Sequence, residues 1–203
     1  MFVKSFNSNP KVKNKVAITY DDGPDEENTP KLLGIFKKNN AKASFFMIGK
    51  NIVQYKEIAD KVFKEGHIIG NHSFNHSNTF PLKSHDKIEQ ELVKTQREIK
   101  KITSWENLYF RPPFGVTNPF IAKALSKLNL KVIGWNIRSF DTTNRRKELI
   151  LKQITKKLKG GDIILLHDRT ENVCWLTEEI FKFLKENKLE AVTIEELLFT
   201  HQN

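Results

Sequence analysis

The chain has 203 residues and a formal charge of +10, from 34 Lys and Arg against 24 Asp and Glu. Its 38% hydrophobic and 29% charged residues, with 7 prolines and 9 glycines, support a folded core and exclude extensive disorder. The single cysteine, Cys174, excludes an intramolecular disulfide, and no run approaches the ~18 apolar residues that a membrane-spanning helix needs.

The N-terminal stretch MFVKSFNSNPKVKNK has no continuous apolar h-region and reads poorly as a signal peptide. A cell-envelope or extracellular location would follow from a removed targeting segment, and a cytoplasmic one otherwise. The positive balance favours acidic partners such as anionic cell-envelope polymers. No aromatic-rich module interrupts the scattered basic residues, so no specific nucleic acid is expected.

Val16–Tyr20 is the first expected strand, ending in the acidic turn Asp21-Asp22-Gly23-Pro24. Thr29 is positioned to cap the next helix, with Pro30 at its first position, where a missing backbone donor costs little. Leu32, Leu33 and Phe36 form its apolar side. A second strand follows over Ala43–Ile48, then a helix from Ile52 to Lys64 with Ile58 and Val62 inward. Gly66 ends that helix, and His67–Gly70 makes a short third strand.

The polar segment Asn71–Phe80 is too irregular for an ordinary connection and invites a functional reading. Ser84 can cap a long helix whose stripe is Ile88, Leu92, Ile99 and Ile102. Leu108–Arg111 is the fourth strand, and a helix beginning at Asn118-Pro119 turns Ile121, Leu125 and Leu128 inward. Strands at Lys131–Trp135, Ile163–Leu166 and Glu190–Thr193 alternate with helices at Arg145–Leu158 and Trp175–Glu186. Strand-then-helix units with short connections predict parallel strands covered by helices, in an open sheet or a closed barrel. No linker divides the chain, so one domain is expected over residues 1–203, and no GxGxxG or phosphate loop appears.

The ionisable groups fall at strand ends. Asp21 and Asp22 follow the first strand, His72 and His76 the third, and Arg111 ends the fourth. Asp141 follows the fifth, and His167 with Asp168 the sixth. In parallel α/β folds these ends converge on one face. The His72-Ser73-Phe74-Asn75-His76 spacing can bring two imidazoles together, and a carboxylate can complete a three-ligand site for zinc or another first-row ion. Two solvent-facing or core histidines fit the same spacing, and DDGP also suits an ordinary turn.

Four motifs, in order, give the sequence a specific likeness. Thr19-Tyr20-Asp21-Asp22-Gly23-Pro24, His72-Ser73-Phe74-Asn75-His76, Arg111-Pro112-Pro113-Phe114 and Leu165-Leu166-His167 resemble those of the polysaccharide deacetylase family, carbohydrate esterase family 4, also called the NodB-homology domain. The likeness runs from about residue 16 to 197. It implies a distorted (β/α)7 barrel with parallel strands and a metal-dependent N-deacetylase of N-acetylglucosamine-containing glycans. It further implies Asp22, His72 and His76 as ligands of one divalent ion, Zn2+ first, with Co2+, Ni2+ or Mn2+ also compatible.

By the same resemblance Asp21 would be the general base, paired with Arg111, and His167 the acid, supported by Asp141. The Phe114 backbone N–H would stabilise the oxyanion, Leu165 would form the acetyl-methyl pocket, and Tyr20 would join them at the substrate. The chain departs from the family's D-x-x-D-W motif at Arg138-Ser139-Phe140-Asp141-Thr142, with Arg138 for the first acid and Thr142 for the aromatic. Trp135, Phe74 and Trp175 are substitute candidates for a stacking wall, with Trp135 expected in the core. A deacylase of another amide or ester, and a catalytically silent carbohydrate-binding protein, are the alternatives.

Overall fold

A computed structural model describes residues 3–104 and 106–199. The chain begins with the short strand β1 (Ser5–Phe6) and then forms β2 (Lys15–Asp21), α1 (Asn28–Lys38), β3 (Ser44–Met47), α2 (Gly49–Gln54), α3 (Lys56–Lys64) and β4 (Ile68–Asn71). The long α4 (His85–Thr103) leads to β5 (Tyr109–Phe110), α5 (Pro119–Lys127), β6 (Lys131–Ile133) and β7 (Ile137–Arg138). The chain continues through α6 (Lys147–Thr155), β8 (Ile163–His167), α7 (Val173–Glu186), β9 (Glu190–Val192) and α8 (Ile194–Phe199).

Every paired strand runs parallel to its neighbours, in the order β1-β6-β5-β4-β3-β2-β8-β7, with β9 off this path against β2. The sheet curls into an incomplete barrel, the distorted form expected. No ladder joins β6 to β7; residues 134–136 carry the chain across that gap instead. The N-terminal segment covers the gap. Its β1 pairs with β6, while Ser8 bridges Asp162 just before β8. Ala17 pairs with both β8 and β9, so β9 lies end to end with β3 and is not a further stave.

Period-two alternation decides which side chains reach the barrel interior. On β2, Val16, Ile18 and Tyr20 pack outward with Leu32, Leu33 and Phe36 of α1, while Ala17 faces inward with Phe46, Ile133 and Ile163. Both faces of the strand are thus covered, and its apolar run needs no polar side. A further cluster, with Phe80, Ile88, Leu92, Phe110 and Ile121, seats α4 and α5 against the wall.

Several local expectations are corrected. The helix expected over 52–64 is two helices, broken at Tyr55 (φ −118°, ψ 48°), and Ala59 with Val62 forms its buried pair while Ile58 is only half-buried. Thr29 does not cap α1: its hydroxyl accepts from the Asp25 N–H and donates to Asp168. Ser84 stands at the N-cap of α4 without a side-chain bond, whereas Asn118 caps α5 by accepting from the Ile121 N–H at 2.9 Å. The strand expected to reach Trp135 stops at Ile133: Gly134 N–H still bonds the Phe6 carbonyl of β1, but Asn136 N–H has already crossed to that of Ile163 on β8.

Candidate active site

The turn after β2 places Asp22 at φ 77°, a left-handed backbone that costs a non-glycine residue about 1–2 kcal/mol. Gly23 follows because nothing larger fits: a Cβ there would lie 2.0 Å from Asp168 Oδ2. Asp168 cannot withdraw easily, since it is fully buried and Thr29 Oγ1 donates to the same oxygen at 2.7 Å. Burial pushes the Asp168 carboxyl up to about 7, against the pull of the Thr29 hydrogen bond.

Asp22 Oδ2 accepts from Arg169 Nε at 2.6 Å. Its other oxygen, Oδ1, is buried without a hydrogen-bond partner and lies 3.5 Å from both His72 Nε2 and His76 Nε2. His72 Nδ1 is 2.7 Å from the Arg111 carbonyl oxygen, which can only accept, so the ring proton sits on Nδ1. Nε2 is then the nitrogen that faces the carboxylate oxygen, and a neutral ring there would turn its lone pair toward it, an arrangement that a cation between them satisfies. The three ligand atoms lie within 4.8 Å of one another. The donor set therefore fits a divalent ion such as zinc.

The charge state suits the same purpose. Burial alone would raise the Asp22 pKa, but His72, when its imidazole is charged, and the bond from Arg169 hold it well below the usual carboxylate range. Burial lowers that of His76, which favours the neutral imidazole that a metal ligand needs.

Helix α4 builds the histidine loop. Glu91 accepts from the N–H groups of Phe74 (3.0 Å) and Asn75 (2.8 Å) and from Asn75 Nδ2 (2.9 Å), and pairs with Lys83. Asn71 Oδ1 accepts from the Ser73 N–H, and Ser73 Oγ from the His76 N–H. These bonds hold Ser73 and His76 at φ 64° and 48°. The His76 ring packs on Phe114, centroids 4.8 Å apart.

Arg111 is fully buried beneath the metal site. Its Nη1 donates to Asp21 Oδ1 at 2.8 Å and to Thr19 Oγ1 at 2.7 Å, while Nε and Nη2 reach the carbonyls of Ile133 and Gly134. Burial lowers its pKa and Asp21 opposes that shift, so the guanidinium stays charged. Asp21 Oδ2 lies 3.7 Å from His72 Nε2, which puts this second carboxylate beside the ligand cluster.

Opposite stands His167. Asp141 accepts from its Nδ1 at 2.9 Å and from its N–H at 2.7 Å, and Ser139 Oγ donates to Asp141. Burial would lower the His167 pKa, but the bond and charge of Asp141, with the charges of Asp21 and Asp22, raise it on balance. With Nδ1 engaged, Nε2 is the nitrogen available to a ligand.

Asp21, Asp22, His72, His76, Phe114, Leu165, His167 and Trp135 line one cavity of about 220 Å³. Of the other expected site residues, Arg111 and Asp141 stand behind this lining, bonded to Asp21 and His167, whereas Tyr20 does not reach the site. It alternates with Thr19 and Asp21, so it points out of the barrel, stacks on Phe45 at 5.1 Å and bonds Thr177. Trp135, expected in the core, both packs on the interior cluster and lines the cavity; Phe74 and Trp175 do not line it. Arg169, Glu91 and Ser139 were not anticipated. The strand-end rule could have found Arg169, two residues after His167. Glu91 was detectable as an acid on the buried stripe of α4.

A curled parallel sheet with an Asp–His–His metal site at the carboxyl ends of its strands, flanked by two acid–cation pairs, defines a metal-dependent hydrolase. The polysaccharide deacetylase sequence model matches residues 8–133, and the chain belongs to that family, carbohydrate esterase family 4. Over 192 residues it is 36% identical to a peptidoglycan-N-acetylglucosamine deacetylase of Bacillus cereus, covering 90% of this chain and 87% of that one. It is 29% identical to the peptidoglycan-N-acetylglucosamine deacetylase PgdA of Listeria monocytogenes, covering 92% of this chain but spanning 39% of that protein.

Among solved structures, BA3943 of Bacillus anthracis, a CE4 family pseudoenzyme, superposes with a TM-score of 0.87 at 27% identity, over 95% of this chain and 68% of that one. The fold alone therefore does not decide activity; the residues at the site do. Here the metal triad is present. The matched segment includes Asp21, Asp22, His72, His76, Arg111 and Phe114 but stops before Asp141, Leu165 and His167.

Proposed function

We propose that the chain, residues 1–203, is one catalytic domain that hydrolyses N-acetyl groups of an N-acetylglucosamine-containing polysaccharide or oligosaccharide, releasing acetate. The observation that carries this reading is the unpartnered Asp22 Oδ1 facing two imidazole nitrogens, set between the Asp21–Arg111 and His167–Asp141 pairs. The names of the relatives support a glycan of the cell wall as substrate. Among the described residues no helix is long and apolar enough to cross a membrane.

An amide is a poor electrophile with a poor leaving group, so its hydrolysis needs help at carbon, oxygen and nitrogen. A divalent ion held by Asp22, His72 and His76 would supply Lewis-acid activation of the acetyl carbonyl and of water. Asp21, oriented by Arg111, takes the proton from the attacking water through its Oδ2. The Phe114 backbone N–H donates to the oxyanion as charge develops there. Leu165 packs against the acetyl methyl. His167 donates the Nε2 proton to the departing nitrogen, and Asp141 keeps the imidazolium available for that step.

The test is mass-spectrometric product analysis on chitooligosaccharides, peptidoglycan glycan strands and poly-N-acetylglucosamine, with acetyl-xylan as an ester control and with metals added or chelated. The expected result is acetate together with free amino sugars, dependent on metal. Deacetylation of the xylan ester alone, with no free amine from any glycan, would overturn the reading.

A further inference from the structure

Each carboxylate close to the reacting centre has a cation of its own. Asp21 has Arg111, Asp22 has Arg169, and Asp141 has His167. Arg138 is left over. It ends β7 on the cavity wall, is exposed, and its guanidinium lies 4.8 Å from the centroid of the Phe140 ring. Arg145, also exposed, lies against the same ring at 4.9 Å. Neither arginine has a carboxylate partner among the described residues.

The backbone that carries the ring between them is tied down. Phe140 adopts φ 61°, and its carbonyl accepts from both the N–H (3.1 Å) and the Oγ1 (2.6 Å) of Thr143. On its other side, the Ser139–Asp141 bond ties the turn to His167. A strained backbone thus presents an aromatic ring at the cavity, and that ring orients two like charges with no acid between them. Planar guanidinium groups held by stacking bind carboxylates in fork geometry, and stacking reduces the side-chain freedom lost on binding.

We propose that Arg138 and Arg145, stacked on Phe140, recognise a carboxylate on the glycan, so that the preferred substrate is an acidic N-acetylated glycan and not a neutral one. The proposal rests on the deacetylase reading of the cavity and adds to it a determinant of specificity. Arg138 and Phe140 line the cavity with His167, which puts the recognised acid on the reacting sugar or its neighbour.

The test is an NMR titration of the chelator-treated chain with three tetrasaccharides. One alternates N-acetylglucosamine with N-acetylmuramic acid, whose lactyl groups are free carboxylates. The second is its methyl ester, alike in shape but uncharged, and the third is neutral chitotetraose. The free acid should bind about tenfold or more tighter than the ester at low salt, and the difference should shrink as salt rises. The R138Q/R145Q double variant should lose that difference and bind the ester and chitotetraose as before.

Equal affinity of the wild-type chain for acid and ester, including no measurable binding of either, overturns the proposal. So does a preference that survives in the double variant, since the overall positive charge would then account for it. Acetate release, measured separately on the metal-loaded chain, reports on the deacetylase reading, so the two can fail independently.

Discussion

Two neighbouring aspartates illustrate how one turn separates two jobs. Asp22, forced to positive φ, sends Oδ1 to the imidazoles, while Asp21 remains in the strand and meets Arg111. The His167–Asp141 pair is where pH dependence should appear. His167 must be protonated to act as an acid, so the rate should fall as pH rises through its pKa, which lies above the usual imidazole value. Asp141→Asn keeps an acceptor for Nδ1 but removes the negative charge, lowering that pKa. The alkaline limb of the pH–rate profile should therefore move to lower pH, by about one unit or more. An unmoved limb in this variant would detach Asp141 from the acid.

Among the elements, α4 and the histidine loop form the most interdependent pair. The loop has no regular structure of its own, and Glu91 supplies acceptors for two of its backbone N–H groups. Glu91→Ala should leave helix content intact by circular dichroism but weaken zinc binding by about 10–100-fold, the usual scale for partners that orient ligating residues. Wild-type zinc affinity in that variant would show that the loop holds His76 unaided.

The same contrast explains what the sequence revealed. Motif residues at strand ends were readable because parallel strands deliver their carboxyl ends to one face, and Asp21, Asp22, His72, His76, Arg111 and His167 meet there. Motif membership puts Tyr20 at the substrate, whereas the alternation of β2 turns its side chain outward. Two-residue β1 and β7 escaped detection because so short a segment carries no period. The break at Tyr55 falls inside a run that carries no Pro or Gly to mark it, so the spacing of its apolar residues reads as one helix.

For the whole molecule, Arg111 is as much a structural tie as a partner of Asp21. The barrel lacks a ladder between β6 and β7, and Arg111 binds β2 to the carbonyls of Ile133 and Gly134, where the chain leaves β6 to cross that gap. Arg111→Ala leaves Asp21 buried without its cation and should cost about 3–5 kcal/mol. By calorimetry this should lower Tm by roughly 10 °C for a chain of this size. A Tm within about 2 °C of wild type would mean that the seam is held by the N-terminal segment alone.

The central claim joins a metal site to a proton-transfer site without confusing the two. It is tested most directly by the initial rate of acetate release from an N-acetylated glycan tetramer by wild type and Asp21→Asn, with bound zinc assayed in the same samples. Both proteins should hold one zinc per chain, chelation should abolish wild-type release, and the variant should be slower by about 100-fold or more. A zinc-loaded Asp21→Asn protein working at the wild-type rate, or wild-type release indifferent to metal removal, would contradict the account.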